Sequence, residues 1–293
     1  MRGRMQAIGI ATAFLFLSFL LPPLNIISAA TIVLITLRQG PRDGLVTIFG
    51  AALGVAVLGL ILINSPGFAT TFALLFWFPF WIFSLLLRQS GQFGLTFEVA
   101  LGLSLLAIAG VYLFISDPAS AWRENLALVL DRLIENPPPG IDREQMKALI
   151  EPSSHYLTGI FAAGSLASLG MGMLLGRWWQ SVLFYPGGFR KEVLNLKPHA
   201  IVAYVFLFVF VSAGFGDGLI VEALWNLSIV GFFFYLIVGT VILHGIIASM
   251  SASRVLLPVM YVVLLFIPYS LFPVALLGFT DTWADWRAKI AAS

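Results

Sequence analysis

Long uncharged apolar runs alternate with short polar segments along most of this chain. The runs lie at 5–21, 24–37, 44–63, 68–87, 95–115, 155–176, 199–216, 221–248 and 254–278. Most approach the length of about 20 residues that an α-helix needs to cross a bilayer. The pattern predicts an all-α fold, a polytopic transmembrane helical bundle with about eight or nine membrane segments. We expect residues 1–293 to form a single integral membrane domain.

The first two runs leave two topologies open. The run at 24–37 is too short for a hydrocarbon core of about 30 Å. Pro22 and Pro23 interrupt the helix just before it. Residues 5–37 therefore form either two tight membrane-spanning helices or a re-entrant hairpin. Both alternatives return the chain to the side of the membrane on which it starts.

Two segments between the runs are amphipathic. In residues 116–154, Asp117-Pro118 is typical of a helix start, and Asp142 with Gln145 resembles a capping box for a second helix. The proline run at 137–139 separates the two. This outer segment is either a lid or docking surface at an outward-facing cavity, or a pair of amphipathic helices on the membrane surface. Residues 177–198 are expected to form a cytoplasmic interfacial loop.

Composition narrows the class of protein. Hydrophobic residues make up 60% of the chain and charged residues 10%, which excludes a soluble globular domain. The absence of cysteine excludes disulfides and thiolate metal sites, and a net charge of +2 gives no basis for nucleic-acid binding. The positive-inside rule places the N-terminus in the cytoplasm. The side of the C-terminus stays open, because Pro258, Pro268 and Pro273 interrupt the last run.

Ionisable residues within the runs are few and lie near their ends. Glu98, Glu222, His155 and His244 are the candidates for chemistry, and no spacing in the sequence brings them together. No nucleophile is paired with a base by a recognisable pattern. We therefore predict a protein that is not an enzyme, with no catalytic residues, no metal site and no cofactor.

Polar and small residues inside the runs give two further sets of candidates. The candidate substrate-binding residues are Tyr204, Asn226, Tyr235 and Thr240. Small residues at four-residue spacing are typical of surfaces where helices approach closely in lipid. Those candidate packing residues are Gly50, Gly54, Ala163 and Ala167. They serve either ordinary packing within the protein or the docking of another membrane subunit.

Three stretches carry a family resemblance. They are Leu21-Pro22-Pro23-Leu24 followed by residues 36–44 (TLRQGPRDG), then residues 187–192 (GGFRKE), then Asn226 with Gly239 and His244. In this order they resemble the YybS-like predicted bacterial membrane proteins, a family of unknown function. That family is distantly similar to the substrate-binding (S) components of energy-coupling-factor vitamin transporters.

The resemblance implies an S-component-like helical core in the bacterial cytoplasmic membrane. It also implies a cavity for a small, vitamin-like solute, with a second membrane subunit and an ATPase module as partners. This chain is longer than a typical S component and has a larger outer segment. The function expected from the sequence is therefore a solute-binding subunit of a transport system. The alternative is a membrane scaffold or regulatory partner in envelope biogenesis that binds no small molecule.

Overall fold

The chain folds into helices throughout the part that the structure describes. A computed structural model describes residues 3–135, 140, 142–184, 188–194, 196–250 and 252–286. No strand occurs in these ranges, which confirms the all-α prediction. The α-helices are α1 (Arg4–Leu17), α2 (Asn25–Gln39), α3 (Pro41–Ile63), α4 (Pro66–Ser90), α5 (Phe93–Phe114), α6 (Pro118–Glu135), α7 (Arg143–Ser154), α8 (Leu157–Phe184), α9 (Gly188–Leu194), α10 (Ala200–Ser212), α11 (Leu219–Ala248), α12 (Ser253–Phe266) and α13 (Leu271–Ala284).

Five of the described helices are long and apolar enough to cross a membrane. They are α4, α5, α8, α11 and the part of α3 from Pro41 to Leu62. Each corresponds to one predicted run. The last run is broken instead, because α12 and the segment Pro268–Ala284 meet at a bend of 111°. Counting that pair as one span gives six, so the predicted number of eight or nine segments is not confirmed.

The remaining predicted runs form helices that are short for a membrane. Helices α1, α2 and α10 contain 14, 15 and 13 residues. At about 1.5 Å per residue each is roughly 20 Å long, against a hydrocarbon core of about 30 Å. Hydropathy alone does not distinguish such a helix from a span when its residues are equally apolar.

The chain divides into two compact units. Unit 1 consists of Met1–Phe97 and Ala167–Leu196, and unit 2 of Glu98–Leu166 and Lys197–Ser293. Each unit is therefore assembled from two separate stretches of sequence.

Unit 1 is built around α2. Every residue of α2 from Ser28 to Leu37 is buried, so this helix is covered on all sides. The Ser28 hydroxyl donates to the Ala11 carbonyl oxygen at 2.7 Å and accepts the Trp77 indole N–H at 3.0 Å, which joins α2 to α1 and α4. The second part of α8 lies against α2, because a Cβ on Gly172 would be 3.2 Å from Ala29 and one on Gly176 would be 2.7 Å from Val33.

The end of α2 is capped by a side chain from α4. One guanidinium nitrogen of Arg88 donates to the carbonyl oxygens of Thr36 at 3.2 Å and Leu37 at 2.8 Å. Both carbonyls belong to the last turn, and that of Thr36 also accepts the Gly40 N–H at 3.1 Å. A cation at this position also opposes the negative end of the helix dipole. The buried helix is therefore satisfied at its C-terminus by protein.

Unit 2 is organised by α11, which packs along α13 and α10. The closest approach is between Gly239 of α11 and Gly278 of α13, where a Cβ on either residue would strike the opposite backbone. Glycine permits this because it presents no side chain at the crossing point. On another side of α11, a Cβ on Gly231 would strike the Phe206 ring of α10.

The two amphipathic segments contain the expected helices. Helix α6 begins at Pro118, where Asp117 Oδ1 accepts the Ser120 N–H at 2.9 Å, and α7 begins with the capping box of Asp142 and Gln145. Both helix starts are confirmed. The predicted proline break at 137–139 and Gly187 lie outside the described residues. Within residues 177–198, the short helix α9 is tied to α8 by an ion pair between Arg177 and Glu192.

Candidate functional site

Unit 2 contains an elongated groove between α5, α10 and α11. Its volume is about 520 Å³, within the range of about 300–1,000 Å³ that is typical of small-molecule sites. The lining residues are Glu98, Leu101, Gly102, Leu105, Leu106, Ala109, Ile201, Val202, Val205, Phe206, Val209, Leu227, Gly231 and Tyr235.

The groove follows from helical spacing. The lining residues of α5 recur every three or four positions and so form one face of that helix, as do those of α10 and α11. Helices α10 and α11 pack closely through Phe206 and Gly231. Among the described helices, α5 packs closely on neither α10 nor α11. A gap therefore remains between α5 and the other two.

The groove is open along one side. Leu106 of α5 and Ile201 of α10 line it, and each is 67% exposed. Leu101, Phe206 and Tyr235 lie deeper and are buried or half-buried. A molecule could therefore reach the groove laterally, between α5 and α10.

One end of the groove is polar. The Glu98 carboxylate accepts the backbone N–H of His199 at 2.6 Å, and its second oxygen lies 2.6 Å from His199 Nδ1. An ionised carboxylate only accepts hydrogen bonds, so this contact is a hydrogen bond to ionised Glu98 in the ring form that carries hydrogen on Nδ1. Tyr235 lies near enough to Glu98 to experience its charge. This end of α5 is held to the start of α10 by these contacts.

The other end of α5 is held by a polar cluster, which we define as Tyr112, His155, Glu222 and Asn226. The Tyr112 hydroxyl donates to Glu222 Oε1 at 2.8 Å, and His155 Nδ1 lies 2.5 Å from Glu222 Oε2. The cluster joins α5, α11 and the two-residue link between α7 and α8. It leaves α5 tied by polar contacts at both ends, with the apolar groove between them.

Asn226 uses its whole amide group within this cluster. Its side chain is fully buried. The nitrogen lies within 2.8 Å of three oxygens, those of the Tyr112 hydroxyl and of the His155 and Glu222 carbonyls. Its oxygen accepts the Gly159 N–H at 2.5 Å. Gly159 is in the first turn of α8, where N–H groups have no partner within the helix, so Asn226 caps α8 from α11.

Helix α6 is fixed on the start of α8. The Trp122 ring stacks on Phe161 with centroids 4.6 Å apart, and its N–H donates to the Thr158 hydroxyl at 2.8 Å. The Ser120 N–H holds the pKa of the exposed Asp117 carboxyl below its ordinary value, and the charges of Arg123 and His155 act in the same direction. The pKa shift is the one expected for a carboxylate that caps a helix.

The structure brings only one of the four candidate substrate-binding residues to the groove. Tyr235 lines it. The Tyr204 hydroxyl, which accepts the Trp283 N–H at 3.2 Å, lies on an exposed side chain, and Thr240 donates to the Leu236 carbonyl of its own helix at 2.8 Å. Asn226 belongs to the polar cluster.

The candidate packing residues lie at different places. Gly50 and Gly54 face α1 within unit 1, where a Cβ would come within 2.5 Å of Ile8 and 2.8 Å of Thr12. Ala163 is buried and Ala167 is half-buried. The glycine pair thus already has a partner inside the protein.

The two acid–histidine pairs were not predicted from the sequence. His155 and Glu222 are 67 residues apart, and Glu98 and His199 are 101 residues apart. Their common signal is position, since each lies near a helix end, where polar groups gather. Among the described residues no group of three or more His, Asp or Glu could hold a metal ion.

Comparison with known proteins adds no relative. No family model, curated protein or solved structure matches this chain. The resemblance to the YybS-like family therefore stays a prediction.

Proposed function

We propose that this protein binds a small, largely apolar molecule in the groove of unit 2. The observation that supports the proposal is the groove itself, a cavity of about 520 Å³ with apolar walls and one carboxylate. Sites of this size and character are where proteins bind small molecules. Polar contacts at both ends of α5 support the groove without filling it.

The biological setting of the proposal is a bacterial cytoplasmic membrane, with the N-terminus in the cytoplasm. In this setting the protein is the binding subunit of a transport system, and its partners are the lipid bilayer, a second membrane subunit and an ATPase module. The support for the transport role is the resemblance to the YybS-like family and, through it, to S components.

The test uses the full-length protein in lipid nanodiscs and mass spectrometry of the molecules that copurify with it. We expect one molecule, other than the nanodisc lipids, in stoichiometric amount. Leu105→Trp should fill the groove and abolish copurification, because Leu105 lines it. Leu103→Trp is the matched control, since Leu103 lies on the same helix, is 51% exposed and does not line the groove. Equal retention by both variants would contradict the proposal.

The competing function is a scaffold without a ligand. It is favoured by the fixed position of α6, whose residues Glu124, Asn125 and Val129 are exposed although Trp122 anchors its start. Such a surface suits a protein partner. Recovery of envelope-assembly proteins with no stoichiometric small molecule would support the scaffold, whereas recovery of an ATPase with a second membrane subunit would support transport.

A further inference from the structure

The groove is polar at one end only. Because α5 and α11 run in opposite directions, Glu98 and Tyr235 share one end, while Ala109 and Leu227 share the other. The lining between them is entirely apolar. From Glu98 to Ala109, α5 rises by about 16 Å. The groove is therefore long and almost wholly apolar, with one carboxylate at one end, an arrangement that fits one hydrocarbon chain with a polar head.

The Glu98 carboxylate can accept more hydrogen bonds than it receives. Its side chain is 11% exposed, and His199 occupies one position on each oxygen. A carboxylate offers about four lone-pair positions, so about two remain. Lys197, close by in the sequence, is paired with Asp285 at 2.8 Å. This end of the groove therefore favours a head group that donates hydrogen bonds.

Tyr235 forms the wall of the groove at the same end. Its side chain is fully buried, and its hydroxyl lies close to the Thr282 hydroxyl of α13, which does not line the groove. The two hydroxyls can therefore pair with each other. Glu98 is the polar lining residue that a ligand can meet at this end.

We infer that the groove binds a single-chain amphiphile whose head group, an ammonium or a hydroxyl, donates hydrogen bonds to Glu98 beside Tyr235. The chain lies along α5 against the apolar residues of α10 and α11. The molecule enters from the bilayer through the open side at Leu106 and Ile201. An anionic amphiphile such as a fatty acid is disfavoured, because its carboxylate would face that of Glu98. This inference rests on the proposed function and names the ligand class.

The test compares three photoreactive dodecyl probes, an amine, an alcohol and a carboxylic acid, on the full-length protein in phosphatidylcholine nanodiscs. Labelled residues are mapped by peptide mass spectrometry. We expect the amine and the alcohol to label α5, α10 and α11 at the groove, and the acid to label about tenfold less, as a lost charge-assisted hydrogen bond implies. Equal labelling by all three probes would overturn the ligand class and leave the groove as a general apolar site. No labelling at the groove by any probe would overturn the proposed function as well.

A pair of variants tests whether Glu98 causes the preference for the amine over the acid. Glu98→Gln should make labelling by the acid and the amine similar, because the neutral amide repels no anion. Glu124→Gln, on the exposed face of α6, is the matched control and should leave the roughly tenfold difference intact. If Glu98→Gln retains that difference, another group sets the preference. The comparison of probes on the unchanged protein does not depend on how well this variant folds.

Discussion

Asn226 shows how much of unit 2 depends on one amide group. It contacts α5 through Tyr112, the two-residue link between α7 and α8 through His155, and the first turn of α8 through Gly159. Each of these groups is buried or half-buried, so none can exchange its partner freely for water. Hydrogen bonds between membrane helices average only about 0.6 kcal/mol, but removing a partner leaves buried polar groups unsatisfied, which costs more.

Asn226→Ala should lower the free energy of unfolding by about 1–3 kcal/mol, since it leaves the Gly159 N–H and the His155 carbonyl without partners. Unfolding in mixed detergent micelles measures the change. Ser228→Ala is the control on the same helix, because the Ser228 hydroxyl donates only to its own helix, at Leu224. A loss of stability as large in Ser228→Ala as in Asn226→Ala would contradict the capping role of Asn226.

At the scale of whole helices, packing in this protein depends on places where side chains are absent. Gly239 and Gly278 let α11 and α13 approach at backbone distance, and a Cβ on Gly176 of α8 would come within 2.7 Å of Val33 on α2. In lipid, apolar helices gain little from the hydrophobic effect on association, so close van der Waals contact has to stabilise them. Glycine at a crossing point therefore contributes to stability even though it weakens an isolated helix.

Gly239→Ala should destabilise unit 2 by about 1–3 kcal/mol, the usual cost of overpacking. The new methyl group would overlap the Val274 carbonyl of α13. Gly110→Ala on α5 has the opposite expected sign, because nothing lies within 4 Å of that position and alanine favours a helix. Thermal unfolding of the two variants in the same detergent measures both changes in stability. A stabilising effect of Gly239→Ala would contradict the close approach of α11 and α13.

For the whole molecule, the arrangement in the membrane depends on which helices cross it. Helix α5 separates Gln92 from Glu124, and both of these residues are exposed. If α5 crosses the membrane as its length and composition allow, the two positions lie on opposite sides. The positive-inside rule predicts that Glu124 lies outside and Gln92 inside.

Because the chain contains no cysteine, a single introduced cysteine can be labelled without ambiguity. In intact cells a membrane-impermeant maleimide should label Glu124→Cys and not Gln92→Cys, and permeabilisation should expose the second site. Labelling of both variants in intact cells would mean that α5 does not cross the membrane. The reverse pattern would keep the crossing and invert the orientation.

The sequence predicted the long helices because an apolar run of sufficient length has few alternatives to a helix in lipid. It also predicted the starts of α6 and α7, where the side chains of Asp117 and Asp142 cap the first turn of each helix. The predicted eight or nine segments are not confirmed, because α1, α2 and α10 are apolar but shorter than a span and α2 is buried by protein. The groove and the polar cluster were not predictable, since Glu98 with His199 and Glu222 with His155 meet only through the tertiary fold.

Unit 1 consists of two separate stretches of sequence, and this limits when it can fold during translation. The face of α2 at Ala29, Ala30 and Val33 is covered by Gly172 and Gly176, which follow the first stretch of unit 2 in the sequence. At a synthesis rate of about 5–20 residues per second, the part of α8 that covers this face is made roughly ten seconds or more after α2. The N-terminal unit cannot be completed during translation before much of the second has emerged. A nascent chain interrupted after α5 leaves the ribosome with the most buried helix of unit 1 still uncovered.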